Sequence, residues 1–486
     1  MPNIELNHFF EWIQQDDIIS SSWGIVEAEG LDWLRTWYGI TLWAKPQKQI
    51  LTSTTAMRVI ASRSSIWSIS TAYAAWDGWN IYRLNWVDNT PTYTTPSTND
   101  IYNWLFYTNR WEYFFIAETT TNNYSLASVS ASADADVWTS LNESVKTNMI
   151  NSTVPPMLVN GVFLYIGYWT TVLRIDSAWT QVTQSIFSAD VTWITRHWTQ
   201  FYVYSTNGSL SIWDWVSASV SALIELKHRI RRVIQEAWID YITTETGELR
   251  QLNWYTLWEP VTEPRKSRRL SDNSQYISKL NFSTTSDDTH TLEFAWDNLI
   301  LIGNDTQPWV YKFWNLIPGL PKSFHKIITQ DNTNTNLDYI HTLEYSEPID
   351  TLYYSYQRGA QYWIDKIVWS ELTTAQDWYF VTQIFRWPPN KVNKITQVRA
   401  TTSYTSWDNY IKIYKRINNG AWVLIRTVND ATDTIDRHEI GTNADGTNLS
   451  DVFIDIQFKI EIHNDLQTDT PPILHNFELI YSLNWD

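Results

Sequence analysis

The 486-residue sequence has 43% hydrophobic residues, no cysteine and a formal net charge of −17. The lack of cysteine excludes disulfide frameworks, thiolate metal sites and cysteine nucleophiles, and the acidic excess disfavours nucleic-acid binding by the surface as a whole. Neither a basic-then-apolar leader nor a run of 18 apolar residues occurs, so we expect a cytoplasmically made chain without a membrane span.

Residues 1–50 have the least regular pattern of the chain. Polar runs such as Gln14-Gln15-Asp16-Asp17 interrupt it, and regular strand character begins only within residues 39–60. This pattern predicts an N-terminal arm, followed by a strand that closes a ring of sheets.

Residues 51–385 contain a recurring strand. Its form is an apolar residue, any residue, a basic or polar residue and a second apolar residue, followed by Asn, Asp or Trp. Adjacent copies start at residues 172, 210 and 249, a period of roughly 40 residues, which is typical of four-stranded propeller blades. We therefore predict an all-β protein whose body is a β-propeller of about seven blades. The clearest copies are Ile81–Asn85, Val172–Asp176, Leu210–Asp214, Leu249–Asn253 and Val310–Trp314.

Tryptophan is overabundant where glycine is expected. The chain has 31 Trp and only 14 Gly, whereas average usage gives roughly 34 Gly at this length. Many Trp adjoin Asn or Asp between alternating segments, where tight hairpin turns favour Gly. Examples are Asn85-Trp86, Asn253-Trp254, Asp377-Trp378 and Trp407-Asp408.

These positions suggest that most of the Trp correspond to UGA codons, which the source organism translates as glycine. Trp104 and Trp213, which lie within apolar strand segments, are the expected exceptions. The alternative is a genuinely Trp-rich protein that stacks its indoles on carbohydrate.

Two basic clusters stand out in the acidic chain, and two interpretations of them remain open. They are either a charged strand edge and a solvated loop, or a docking patch for an acidic neighbouring subunit. The candidate docking residues are Arg229, Arg231, Arg232, Arg265, Lys266, Arg268 and Arg269.

No motif predicts catalysis. The nine His show no metal-ligand spacing, and HExxH, GxSxG and glycine-rich phosphate loops are all missing from the sequence. We therefore predict a non-enzymatic protein with no catalytic residue, no cofactor and no metal ligand.

Residues 390–486 change in character after a linker-like segment, Trp387-Pro388-Pro389-Asn390. The segment Val452–Ile462 alternates between apolar and polar residues, as a half-buried strand does. Several such segments in about 100 residues predict a C-terminal β-sandwich.

The order of several segments resembles tailed-phage virion proteins that carry a propeller. The resemblance is carried by His8–Phe10, Glu27–Asp32 and Asp77–Arg83 near the start, and by Phe458–Ile462, Thr470–Leu474 and Phe477–Tyr481 near the end. It implies a tail-associated virion protein, assembled in the host cytoplasm in several copies beside other virion proteins.

Three functions follow as hypotheses. The first is a non-enzymatic protein–protein interaction scaffold of the virion. The second is a module that binds host-surface glycans through aromatic side chains. The third is a propeller enzyme that cleaves glycans, which would need paired carboxylates near the axis.

Overall fold

In the residues that the computed structural model describes, the chain is all-β and forms 41 strands. The structure describes the strands given below and, more completely, residues 154–257, 292–368 and 377–484. Within those three ranges it leaves out residues 177, 179–180, 215–219, 221, 227, 237, 246–247, 254–255, 296–297, 305–307, 315–322, 329–338, 347–349, 383–384, 387–391, 432–433 and 466–469. No helix able to cross a membrane occurs in this part of the chain.

Five short strands open the chain, and three of them pair with segments far away in sequence. They are β1 (Asn3–Leu6), β2 (Ile25–Ala28), β3 (Leu31–Asp32), β4 (Thr41–Leu42) and β5 (Gln47–Ser53). β3 and β4 pair with each other, whereas β1, β2 and β5 join sheets formed by later strands.

Three four-stranded antiparallel sheets follow, each built from strands that are consecutive in the chain. The first sheet is β6 (Met57–Arg63), β7 (Thr71–Trp76), β8 (Asn80–Arg83) and β9 (Tyr93–Thr94). The second is β10 (Asp100–Tyr107), β11 (Glu112–Thr120), β12 (Asn123–Ser130) and β13 (Leu141–Ile150). The third is β14 (Met157–Asn160), β15 (Phe163–Tyr168), β16 (Thr171–Ile175) and β17 (Gln181–Ile186).

Four further sheets repeat this plan, and the last of them takes its fourth strand from the N-terminal region. The fourth sheet is β18 (Val191–His197), β19 (Gln200–Ser205), β20 (Ser209–Trp213) and β21 (Ala222–Glu225). The fifth is β22 (Ile230–Glu236), β23 (Ile239–Thr244), β24 (Leu249–Asn253) and β25 (Thr256–Leu257). The sixth is β26 (Leu292–Ala295), β27 (Asn298–Asn304), β28 (Pro308–Trp314) and β29 (Ser323–Ile328). The seventh is β30 (Tyr339–Ser346), β31 (Thr351–Arg358) and β32 (Gln361–Val368), with β5 paired to β32.

The first strands of these sheets lie side by side in chain order, and β30 of the seventh sheet lies against β6 of the first. Alternate residues of one strand pack in opposite directions, as the two-residue period of a strand requires. In β15, Leu164 and Ile166 pack against the second sheet, whereas Tyr165 packs against the fourth. The all-β, propeller-type architecture predicted from the repeat is thus confirmed.

The remaining strands form two sheets that share one apolar core. The strands are β33 (Asp377–Thr382), β34 (Phe385–Arg386), β35 (Val392–Ser403), β36 (Asn409–Ile417), β37 (Val423–Val428), β38 (Asp436–Ile440), β39 (Val452–Phe453), β40 (Asp455–Asn464) and β41 (Ile473–Asn484). The first sheet has the order β1-β41-β35-β38, with β39 also on β35, and the second has the order β2-β33-β40-β36-β37, with β34 also on β40. Val398 and Phe477 of the first sheet share the core with Phe380 and Ile460 of the second.

Several strand pairings cross the predicted domain boundaries. β33 and β34 lie before the proline-containing linker, in the range 51–385 assigned to the propeller or at its edge, yet both pair with β40. Residues 1–50, expected as an arm, likewise contribute β1 and β2 to the C-terminal sheets. The composition of the sequence reveals the linker, but it does not reveal the distant partner of a strand. The alternation of apolar and polar residues shows which face of a strand is buried, and it does not show which strand lies beside it.

Two tryptophans occupy hairpin positions that glycines fill elsewhere. Trp169 and Trp198 have φ of 52° and 53° and are 55% and 63% exposed. Each is the first residue of a two-residue turn, as are Gly161 and Gly359, whose φ is 60°. The flanking pairs are Tyr168 with Thr171, His197 with Gln200, Asn160 with Phe163, and Arg358 with Gln361. Such a turn requires positive φ, which costs an L-residue with a side chain about 1–2 kcal/mol.

Replacing Trp169 with glycine is expected to stabilise the fold by about 1 kcal/mol, because the strain at positive φ is relieved and little burial is lost. Trp213 is fully buried among Tyr165, Phe187 and Phe201. Trp213→Gly should therefore destabilise the fold by at least about 3 kcal/mol. Urea unfolding measures both changes, and a loss of stability in Trp169→Gly would contradict the turn interpretation.

Candidate functional site

A buried carboxylate joins the fourth and fifth sheets. Asp240, near the start of β23, is completely buried. Its Oδ2 accepts hydrogen bonds from Thr195 Oγ1 at 2.9 Å and from the Tyr204 hydroxyl, and its Oδ1 lies 2.8 Å from His197 Nε2. These three partners all belong to the fourth sheet, so the carboxylate fixes the two sheets relative to each other.

The three partners of Asp240 are all groups that can donate a hydrogen bond. Burial and the negative charge of Asp240 raise the pKa of the Tyr204 hydroxyl well above its usual range, so Tyr204 remains a donor. While the carboxylate is ionised, it can only accept, and His197 Nε2 is then the protonated nitrogen. The His197 ring also stacks on Tyr202, with 4.0 Å between ring centroids.

A second polar connection joins the fifth sheet to the sixth. Arg232 on β22 is only 7% exposed, and its Nε donates to the Leu292 carbonyl oxygen at 3.0 Å. Its Nη2 lies 3.5 Å from Glu293 Oε2, and its guanidinium lies 5.0 Å from the ring centroid of Trp193 in the fourth sheet. Arg232 therefore connects three neighbouring sheets.

Burial shifts the titration of this pair. It raises the pKa of Glu293 to about 7, against the opposing effects of Arg232 and of the backbone N–H of Phe294. Burial also lowers the pKa of Arg232, while Glu293 and Glu344 act in the opposite direction. The pair thus carries a desolvation cost that each partner partly offsets for the other.

The predicted docking residues separate into three groups. Arg232 is engaged inside the fold, so its guanidinium is not presented to a separate subunit. Arg229 lies just before β22, Arg231 is the second residue of that strand, and both are partly exposed. The second cluster, Arg265, Lys266, Arg268 and Arg269, lies outside the described residues.

A hydroxyl, an imidazole and a carboxylate follow one another in the C-terminal sheets. Thr402 Oγ1 lies 3.0 Å from His438 Nε2, and His438 Nδ1 lies 3.4 Å from Asp430 Oδ2. This order is the one that activates nucleophilic hydroxyls. Thr402 has no exposed surface, however, so its hydroxyl cannot reach a substrate. Its hydrogen bond instead joins β35 to β38.

The sequence contains a signal for the buried network that lies outside the common catalytic and metal-binding motifs. Asp240 lies between Ile239 and Tyr241 in a strand whose other central residues are apolar. A carboxylate buried in such a strand requires partners, because an uncompensated buried charge is costly. The partners themselves, at residues 195, 197 and 204, could not be identified from local pattern.

Asp240→Asn should destabilise the protein by about 3 kcal/mol, since a carboxamide cannot accept from all the donors that surround this position. Thr195→Val removes one donor and should cost only about 1 kcal/mol. Equilibrium urea unfolding of the two variants tests this order, and wild-type stability of Asp240→Asn would refute the role of the network.

Glu293 should make stability depend on pH. The unfolded chain releases this proton near the ordinary value of 4.5, whereas the folded chain holds it to about pH 7. The stabilisation is therefore complete below pH 4.5 and is lost as the pH rises to 7. Over this interval wild type should lose stability relative to Glu293→Gln, which has no such proton. Parallel unfolding curves at several pH values provide the measurement, and an identical pH dependence in both proteins would contradict the prediction.

No protein-family model and no curated protein matches the sequence. Among solved structures, the chain is similar to YCF48 bound to D1 peptide, with 12% identity, 68% of this chain and 98% of that chain covered, and a TM-score of 0.45. It is similar to the WD40 beta propeller domain of Doa1, with 11% identity, coverage of 65% and 96%, and a TM-score of 0.42. For the computationally designed Ika8 protein, the identity is 9%, the coverage 64% and 84%, and the TM-score 0.38.

Proposed function

We propose that this chain is a non-enzymatic scaffold of a tailed-phage-like virion, in which a seven-bladed β-propeller is braced to a C-terminal β-sandwich. The observation that best supports this proposal is the pairing of the N-terminal strands with distant sheets. β5 completes the seventh sheet, while β1 and β2 extend the two C-terminal sheets. One segment of about 50 residues thus ties both bodies, an arrangement suited to holding binding surfaces in fixed positions.

The blade count rests on hydrogen bonding and on packing. Each of the seven sheets has four antiparallel strands, and their first strands adjoin in order from β6 to β30 and back to β6. Pairing β5 with β32 means that the first and last parts of the propeller body share one sheet. Such sharing resists opening of a ring, because opening would break the hydrogen bonds of that sheet.

The sandwich assignment rests on the shared core of the two C-terminal sheets. In β36, buried residues alternate with partly exposed ones from Asn409 to Lys415. Its inward residues Ile411 and Ile413 pack in the same cluster as Leu479 of the opposite sheet. This is the pattern of two sheets packed face to face.

The virion setting rests on the resemblance seen in the sequence, and the recoding proposal is supported by the turns. Positive φ at Trp169 and Trp198 matches the conformation of Gly161 and Gly359. Glycine at these positions would remove the strain. A genome that translates UGA as glycine accounts for both the low Gly count and the position of these indoles.

Glycan binding is the second candidate, and one observation favours it. Trp198 and Trp238 lie in the turns after β18 and β22, are 63% and 40% exposed, and have ring centroids 4.7 Å apart. Exposed neighbouring indoles can stack on sugar rings. This candidate requires Trp at position 198, whereas the recoding proposal places glycine there, so the identity of one residue separates them.

Peptide mass spectrometry of particles from a culture whose phage genome carries this sequence tests the proposal. We expect several copies of the chain per particle, with glycine in the peptides that contain positions 169 and 198. The absence of the chain from purified particles would refute the virion role. Trp at position 198, together with a signal on a glycan array, would instead favour the second candidate.

A further inference from the structure

A β-bulge recurs near the start of the first strand in five of the seven sheets. In each case one residue, the second or third of its strand, is skipped in the pairing register. A bulge leaves its extra residue outside the ladder and redirects its side chain. Because the bulges occupy equivalent places in adjoining strands, they lie at the same end of the ring. The skipped residues are Arg58, Tyr102, Thr192, Arg231 and His341.

Arg231 is the bulge residue of β22, and its charge is incompletely satisfied. The side chain is partly exposed, but its Nε is buried and donates to no acceptor among the residues described. A buried donor without an acceptor costs about 1–3 kcal/mol, so a ligand that supplied one would bind favourably. The guanidinium presents its donors in a planar fork that matches a carboxylate.

Arg229 lies two residues before Arg231 and adds a second positive charge. Burial and, next, the charge of Arg231 lower the pKa of Arg229. Two carboxylates act in the opposite direction, because the negative charges of Glu245 and Asp190 raise the pKa of Arg229. The backbone N–H of Arg229 also donates to Glu245 Oε1 at 3.4 Å.

Arg229 interacts electrostatically with residues that belong to or adjoin other sheets. Arg229 belongs to the fifth sheet, but it interacts electrostatically with Asp190, just before the fourth sheet, and with Tyr124, at the start of β12 in the second. The two arginines therefore lie at the end of the sheets where the first strands begin.

We propose that this end of the ring binds an acidic peptide segment, whose carboxylate is held by the guanidinium of Arg231 with Arg229 as the supporting charge. The inference rests on the proposed scaffold function and names the chemistry of a partner. A net charge of −17 repels a long phosphate backbone at a distance. A short carboxylate-bearing segment needs only the local pair of arginines.

Fluorescence anisotropy with a fluorescein-labelled hexaglutamate peptide tests the inference on the full-length protein. Binding should weaken roughly tenfold in Arg231→Gln, the loss of one charge-assisted interaction. It should also weaken as the salt concentration rises. Arg196→Gln is the matched control. Arg196 lies on β18 near the opposite end of the first strands, where its Nε donates to the Trp198 carbonyl oxygen at 3.0 Å. This variant should bind the peptide as wild type does.

Three outcomes would overturn the inference: no binding of the peptide by wild type, equal losses in both variants, or tighter binding of labelled hexathymidylate than of hexaglutamate. Thermal unfolding of each variant identifies a loss of binding that comes from misfolding. Arg231→Lys keeps the positive charge but loses the planar guanidinium, so it should bind the peptide with intermediate affinity. If the chain is present in particles but does not bind the peptide, only this inference falls and the scaffold proposal stands.

Discussion

The structure depends on one constraint: a four-stranded sheet with two apolar faces cannot cover both of them alone. Neighbouring sheets cover them in turn. Tyr202 and Leu210 of the fourth sheet bury their side chains with Ile242 of the fifth, while Phe201 and Trp213 of the same fourth sheet pack towards the third. Loss of any sheet would expose a face on each neighbour, so the stability of each sheet depends on the others.

Two charged groups inside this apolar stacking are paired across sheets. Asp240 is surrounded by three donors, and Arg232 has a carbonyl oxygen, a carboxylate and an indole as partners. Apolar contacts tolerate small slides between sheets, whereas hydrogen bonds with defined geometry do not. The polar connections therefore fix how far one sheet is rotated and shifted against the next, which an interaction scaffold requires of its surfaces.

Much of the propeller-type body could be predicted because its information is local. The recurring strand at Val172–Asp176, Leu210–Asp214 and Leu249–Asn253 corresponds to β16, β20 and β24, the third strands of three successive sheets. Alternation reveals which residues face inwards, but it does not reveal the partner strand. The sequence therefore did not predict that β2 pairs with β33.

The candidate site was predicted less well, for a related reason. Charge alone grouped Arg229, Arg231 and Arg232, but their environments differ because each occupies a different place relative to one bulge. The skipped residue, Arg231, is redirected, while the next residue, Arg232, points into the contact between sheets. A bulge is a property of the pairing between two strands, so it cannot be read from one of them.

The pairing of β1 with β41 has a consequence for the order of synthesis. Asn3 is opposite Ile480, so β1 is made long before the strand with which it pairs. β2 waits for residues 377–382 and β5 for residues 361–368. The sheets between them can form as they emerge, since their partners are close in sequence. β1, β2 and β5 thus remain unpaired while the sheets between them are made, and their exposed edges need protection from aggregation during that time.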